Sequence, residues 1–198
     1  GYHPAKLKNY SKFEPILSNM GRYVINNQQV PLGLINMLNV RYIFSLQKFN
    51  NSDFTFMFKH SLHLSSEGFE RKPIYVYKTN YESQRIFTPN CVEKESQEIL
   101  EKVLNPFFNP NESAFLAINI DKECYNNLDV DIKIESWEPN EIVLTSTSDK
   151  ERFIVLSEVY YPGWKVKGTF DNKIYMANGL LRAIKVPAGK TRILMKFD

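Results

Sequence analysis

The chain has 198 residues, 43% of them apolar, and carries 25 Lys and Arg against 22 Asp and Glu for a formal net charge of +3, a globular composition large enough for one domain or two small ones. Its 14 Phe, 11 Tyr and 2 Trp outnumber the 8 Gly and 10 Pro together, which excludes a linker, a collagen-like array or a disordered tail. The longest apolar run is five residues (114–118), no stretch reads as a bilayer span, and without an initiator Met or a signal-peptide core the chain reads as a piece of a longer protein. In chain order, Pro4 suits a first helical turn, and Leu7, Tyr10, Phe13, Ile16 and Leu17 recur at helical spacing. A second helix is predicted from Pro31, burying Leu34, Ile35 and Leu38 and ending at Asn39. Residues 40–45 read as a strand, and Phe54, Phe56, Phe58, His60, Leu62 and Leu64 continue a strict period of two. Residues 74–78 and 85–93 are further predicted strands, and a third helix fits 96–105, stopped by Pro106.

Beyond about residue 125 the pattern becomes short strands with regular turn signals. Val130, Ile132 and Ile134 alternate with charged residues, and Glu138-Pro139-Asn140 turns into a strand over 142–146. Residues 153–159 are apolar on both faces and are predicted to form a central strand. Pro162-Gly163 and Asp171-Asn172 mark turns, strands are expected over 164–170, 174–177, 180–186 and 192–197, and residues 187–190 are read as a closing hairpin. The predicted fold is therefore an α+β part over residues 1–125, followed over 126–198 by an all-β antiparallel sandwich of jelly-roll or Ig-like type.

Charge is unevenly placed: residues 1–92 sum to +6, 93–142 to −8 and 150–198 to +6. Lys165, Lys167, Lys173, Lys185, Lys190, Arg192 and Lys196 are spread singly along predicted strands, a solvated face rather than a phosphate track, so no nucleic-acid partner is expected. Cys91 and Cys124 lack the spacing of a structural zinc site; one disulfide and two partly buried thiols both fit them. His60 and His63, three apart on a predicted strand, point to opposite sides, and His3 is read as starting the first helix, so neither a metal site nor a cofactor is expected. Nucleophile-elbow, phosphate-loop, dinucleotide and zincin motifs are missing, carboxylate pairs such as Asp129 and Asp131 read as a wet strand face, and no catalytic residue is assigned. The most distinctive stretch is 156–165, where Tyr160, Tyr161 and Trp164 flank a Pro-Gly turn and Asn178 and Arg182 follow. Aromatic faces beside amide and guanidinium donors hold sugar rings by stacking and oriented hydrogen bonds, which makes these five the candidate glycan-binding residues; the competing reading makes Trp164 a core residue capped by the tyrosines.

Six segments occur in the order found in one family: residues 1–7, 38–43, Tyr77 with 85–87, 156–164, 175–183 and 186–190. Across essentially its whole length the chain resembles the extracytoplasmic soluble region near the C-terminus of bacterial YfhO-like membrane proteins. It departs from that pattern at Gln84, where the family commonly has proline, and in turning at Asp171-Asn172 rather than at an Asp-Gly soon after the tryptophan. The resemblance implies a polytopic membrane protein similar to glycosyltransferases that use lipid-linked sugars, with the catalytic carboxylates in the membrane portion and none in this chain. The implied location is the extracytoplasmic face of the cell membrane. The implied partners are the protein's own transmembrane portion and, as a candidate acceptor, a cell-envelope polysaccharide. A purely structural module bracing the transmembrane bundle is the alternative.

Overall fold

The computed structural model describes residues 10–16, 30–63, 71–82, 84–125 and 130–197. The expectations for His3, Pro4, Leu7, Leu17, Leu64 and Asp129 lie outside those residues. Helical residues 10–16 form α1 and bury Phe13. Helix α2 (Leu32–Met37) follows Pro31 and buries Gly33, Leu34, Ile35 and Met37; Asn39, with φ of 53°, takes the left-handed conformation that ends it. Helix α3 (Ile99–Leu104) buries Ile99 and Val103 and stops before Pro106. No helix among the described residues is long and apolar enough to cross a membrane.

The described residues are mostly β-structure, in three sheets whose paired strands among those residues run antiparallel except at one place. In the first sheet β3 (Arg71–Thr79) lies between β1 (Tyr42–Ser45) and β2 (Phe54–His63). Ile43, Phe54, Tyr75 and Tyr77 of this sheet pack with Ile35 and Phe49, and the Tyr77 hydroxyl donates to the Phe49 carbonyl at 3.0 Å beneath a stacked Phe49 ring. The strict alternation predicted for β2 does not hold. Phe56 pairs with Tyr77 and Phe58 with Val76, so Met57 is bulged and Phe58 and His60 turn to the face opposite Phe54 and Phe56.

The predicted strand over 85–93 is broken at Thr88-Pro89, because proline cannot donate to a central ladder. It becomes β4 (Ile86–Phe87) and β5 (Cys91–Lys94) of a seven-stranded second sheet. That sheet also contains β6 (Ser113–Leu116), β7 (Glu123–Cys124), β10 (Arg152–Val159), β12 (Tyr175–Ala177) and β13 (Leu181–Val186), in the order β4-β10-β13-β12-β6-β5-β7, with β5 and β6 parallel. It therefore takes strands from both sides of residue 125. Only Thr88, Pro89 and Asn90 join β4 at one edge to β5 near the other. Such a link reaches about 14 Å, whereas five strand spacings in a flat sheet span about 24 Å. The sheet must curl round on itself. Its concave side holds Phe87, Val92, Leu116, Phe153, Val155 and Ala183 together with Phe13, Leu34 and Met37 of the helices.

A third sheet, β11-β14-β9-β8, is built from β8 (Val130–Glu138), β9 (Glu141–Ser148), β11 (Trp164–Lys167) and β14 (Gly189–Phe197). Ile142, Leu144, Ile193 and Met195 of this sheet share a core with Ile154, Leu156, Ile184 and Val186 of the second. Strand β10 thus buries Phe153 and Val155 on one side and Ile154 and Leu156 on the other, as its two-faced apolar sequence predicts. Residues 187–190 do not close a hairpin: β13 pairs β10 and β14 pairs β9, so this turn carries the chain between sheets. The uneven charge finds a structural outlet in the same place, where Arg192 of β14 meets Glu135 at 2.7 Å and Lys196 meets Glu141 at 2.8 Å.

At Gly33, a Cβ would stand 2.0 Å from the Phe108 carbonyl oxygen. Gly33→Ala is therefore expected to cost about 1–3 kcal/mol in chemical denaturation, since backbone on the segment after α3 must move. An unchanged midpoint would show that α2 does not approach that segment so closely.

Candidate functional site

At the end of the second and third sheets where β10 finishes and β9 and β11 begin, a cleft of about 560 Å³ opens. Sheet register assembles it. Glu141 pairs with Lys196 and Trp164 with Phe197, which brings the Glu138-Pro139-Asn140 turn and the start of β11 to the C-terminal end of β14. The Phe197 amide closes that junction by donating to the Asn140 carbonyl at 3.0 Å. On the facing sheet, Leu156 pairs with Arg182 but Val159 pairs with Leu181, so Ser157 and Glu158 form a bulge. Its effect is local and specific: Ser157 donates its hydroxyl to the Met37 carbonyl at 2.8 Å, while Glu158 comes alongside Arg182.

Arg182 organises the inner wall. It is 5% exposed, and its Nε donates to the Val159 carbonyl at 2.9 Å. One terminal nitrogen lies 3.6 Å from a Glu158 carboxylate oxygen, and the guanidinium sits 4.1 Å over the Trp164 ring. The other terminal nitrogen, Nη1, is buried with no hydrogen-bond partner among the described residues. Burial lowers the Arg182 pKa from its usual value, and the Glu158 charge works against that shift. The opposite wall repeats the motif, with the Arg85 guanidinium 4.8 Å from the centre of the Trp137 ring. Between them Phe197 is in ring contact with both Tyr161, at 5.6 Å, and Trp164, at 5.8 Å. Gly163, at φ of 109°, makes the turn feasible, since a Cβ there would meet the Phe197 ring at 2.8 Å. With two arginines against Glu138 and Glu158, the lining is formally neutral.

Three of the five sequence-predicted residues converge here: Tyr161, Trp164 and Arg182. Trp164 also packs against the shared core, so the site and core readings meet in one side chain. Tyr160 does not line the cleft; its amide donates to the Leu180 carbonyl at 2.7 Å. Asn178 is placed elsewhere. It is 0% exposed and, at φ of 53°, forms with Gly179 the two-residue turn from Ala177 to Leu180 between β12 and β13. Its side-chain oxygen accepts from the Phe115 amide at 2.9 Å and its own amide donates back to the Phe115 carbonyl at 2.7 Å, bonds that stitch the turn to β6.

The sequence points to no place in the site for Arg85, Trp137, Asn140, Glu158 or Phe197. Arg85 and Glu158 stand inside distinctive segments and Trp137 next to a Pro-Asn turn, but only the strand pairing brings them together. No group of three or more potential metal ligands occurs among the described residues. The disulfide question is resolved by pairing as well: Cys91 of β5 and Cys124 of β7 are directly opposite, 4.1 Å apart at Cα, and bonded. Comparison of the chain with known protein families, with curated proteins and with solved structures found no match in any of the three.

Proposed function

We propose that the chain is a non-catalytic, glycan-binding extracytoplasmic region of a YfhO-like polytopic membrane protein, and that the facing second and third sheets are the β-sandwich expected of its second half. The observation that carries this reading is the neutral cleft lined by two arginine–tryptophan stacks, Tyr161, Asn140 and two carboxylates. Apolar ring faces beside fixed donors and acceptors, without net charge, match a hydroxyl-rich sugar better than a nucleotide or a lipid chain. Because Arg182 and Arg85 each lie over an indole, the freest aromatic surface for stacking is Tyr161, which is 45% exposed. The Cys91–Cys124 bond supports a location outside the reducing cytoplasm.

Binding to an array of bacterial cell-envelope polysaccharides is the direct test. Tyr161→Ala is expected to weaken binding about tenfold, equivalent to about 1.4 kcal/mol, with the melting temperature unchanged because little core contact is lost. Trp164→Ala is expected to reduce both binding and stability, since that ring serves the cleft and the core. Absence of binding to every arrayed glycan, or full binding by the Tyr161 variant, would remove the cleft from consideration and leave the bracing role.

A further inference from the structure

Glu158 and Arg85 line the cleft with hydrogen-bonding capacity that the described residues do not use. The Glu158 carboxylate stands 3.6 Å from an Arg182 nitrogen, close enough for charge pairing and too far for a hydrogen bond, and it accepts none from any other described residue. Its side chain is 35% exposed. Arg85 is exposed over the Trp137 ring, and its guanidinium has no hydrogen-bond or ion-pair partner among the described residues. Backbone pairing makes the two residues neighbours: the Ser157 amide, one position before Glu158, donates to the Arg85 carbonyl at 2.8 Å. Both are held in place before anything binds. The Ser157 hydroxyl ties the bulge to the Met37 carbonyl, Arg182 stays opposite Glu158 through its bond to the Val159 carbonyl, and the Trp137 indole supports Arg85.

The two groups ask for complementary chemistry. An ionised carboxylate only accepts hydrogen bonds, and a guanidinium only donates them. A lining with two charges of each sign favours neither a phosphorylated or uronic sugar nor an amino sugar. A hydroxyl is at once donor and acceptor, so two hydroxyls on neighbouring carbons can give their protons to Glu158 while their oxygens take hydrogen bonds from Arg85. The exposed Tyr161 ring supplies the apolar surface against which the face of the same sugar can lie.

Given the glycan-binding reading of the cleft, on which this rests, we infer that Glu158 and Arg85 set its specificity by reading a pair of free vicinal hydroxyls on a neutral sugar, Glu158 accepting from them and Arg85 donating to them. The test is a deoxy-sugar scan: the methyl glycosides of glucose, galactose and mannose, and their monodeoxy analogues, compete for binding of the 198-residue chain to the polysaccharide array. Removing either of two neighbouring hydroxyls is expected to weaken inhibition about tenfold, and removing any other hydroxyl less than about twofold. In Glu158→Gln that contrast between positions is expected to fall below about twofold, because the acceptor that reads the pair is gone. Arg85→Met keeps an unbranched stem over Trp137 and removes the donors, so it gives the same comparison should the glutamine variant misfold. Inhibition alike by every analogue, or by no methyl glycoside, while Tyr161→Ala still weakens binding to the array, would overturn the inference and leave the glycan reading in place. A contrast as large in both variants as in the unaltered chain would overturn it as well, since other residues would then read the hydroxyls. No binding to any arrayed polysaccharide would remove both.

Discussion

Replacing Arg182 with alanine is expected to lower the stability of the protein by about 2–4 kcal/mol. The guanidinium is almost wholly buried, and its removal leaves three groups without their partner: the Val159 carbonyl, the Glu158 carboxylate and the face of Trp164. The cavity it leaves sits where the Ser157–Glu158 bulge meets β13, so the bulge loses the contact that fixes its direction. Arg182→Lys separates charge from shape. An ammonium can still face Glu158, but it has no planar fork to bond Val159 and lie over the indole at once, so about half of the loss is expected to remain. Urea denaturation reads both variants as midpoint shifts at constant slope. A shift below about 0.5 kcal/mol for the alanine variant would mean that the arginine fills space without organising the wall.

Reduction of the Cys91–Cys124 bond is the second large effect. The bridge spans a sequence separation of 33, and closing a loop of that length restrains the unfolded chain by about 3–4 kcal/mol. Melting is expected to fall by roughly 10 °C in the presence of a reductant, and by a similar amount in the Cys91→Ser, Cys124→Ser variant. The loss should begin locally, because β7 is a two-residue edge strand. Besides its pairing with β5, it is anchored among the described residues at Tyr125, whose amide donates to the Asn90 carbonyl at 2.7 Å, whose hydroxyl accepts from the Phe153 amide at 3.1 Å and whose ring lies 4.7 Å from the Arg152 guanidinium. Burial drives the Tyr125 phenol pKa above its usual value, so this anchor stays neutral through ordinary alkaline conditions. Identical melting with and without reductant would show that the strand pairing and the Tyr125 contacts hold the edge without the bridge.

Local signals in the sequence were read well where they depend on neighbours in the chain. Asn39 as a helix end, Pro162-Gly163 and Asp171-Asn172 as turns, and the two-faced strand around Ile154 each follow from a residue's own conformational limits. The misreadings share another cause. Pro187-Ala188-Gly189-Lys190 has the chemistry of a tight turn, and nothing local says whether the strands it joins pair with each other or with partners in different sheets. The Met57 bulge is likewise decided by β3, not by the phenylalanines of β2. Pro89 is a local signal for the break in residues 85–93, since a proline inside a strand removes a ladder donor. For the cleft, Tyr161, Trp164 and Arg182 were visible because two of them flank one turn, whereas Trp137, Asn140 and Phe197 arrive through register alone. Asn178 lies away from the cleft, which its local sequence does not show, because a polar side chain near a turn reads equally as a ligand contact and as a turn residue bonding the backbone of a strand 63 positions away.

The curled second sheet also sets a timetable for synthesis. Phe87 finds its partner only when Val155 has been made, and Leu116 waits for Ala177. At ~5–20 residues per second, the first of these waits lasts roughly 3–14 s. During it Phe87 and Val92, and Leu116 once made, lack the β10 side chains that will cover them. This interval on the ribosome, before β10 can pair with β4, is thus one in which the chain is open to aggregation.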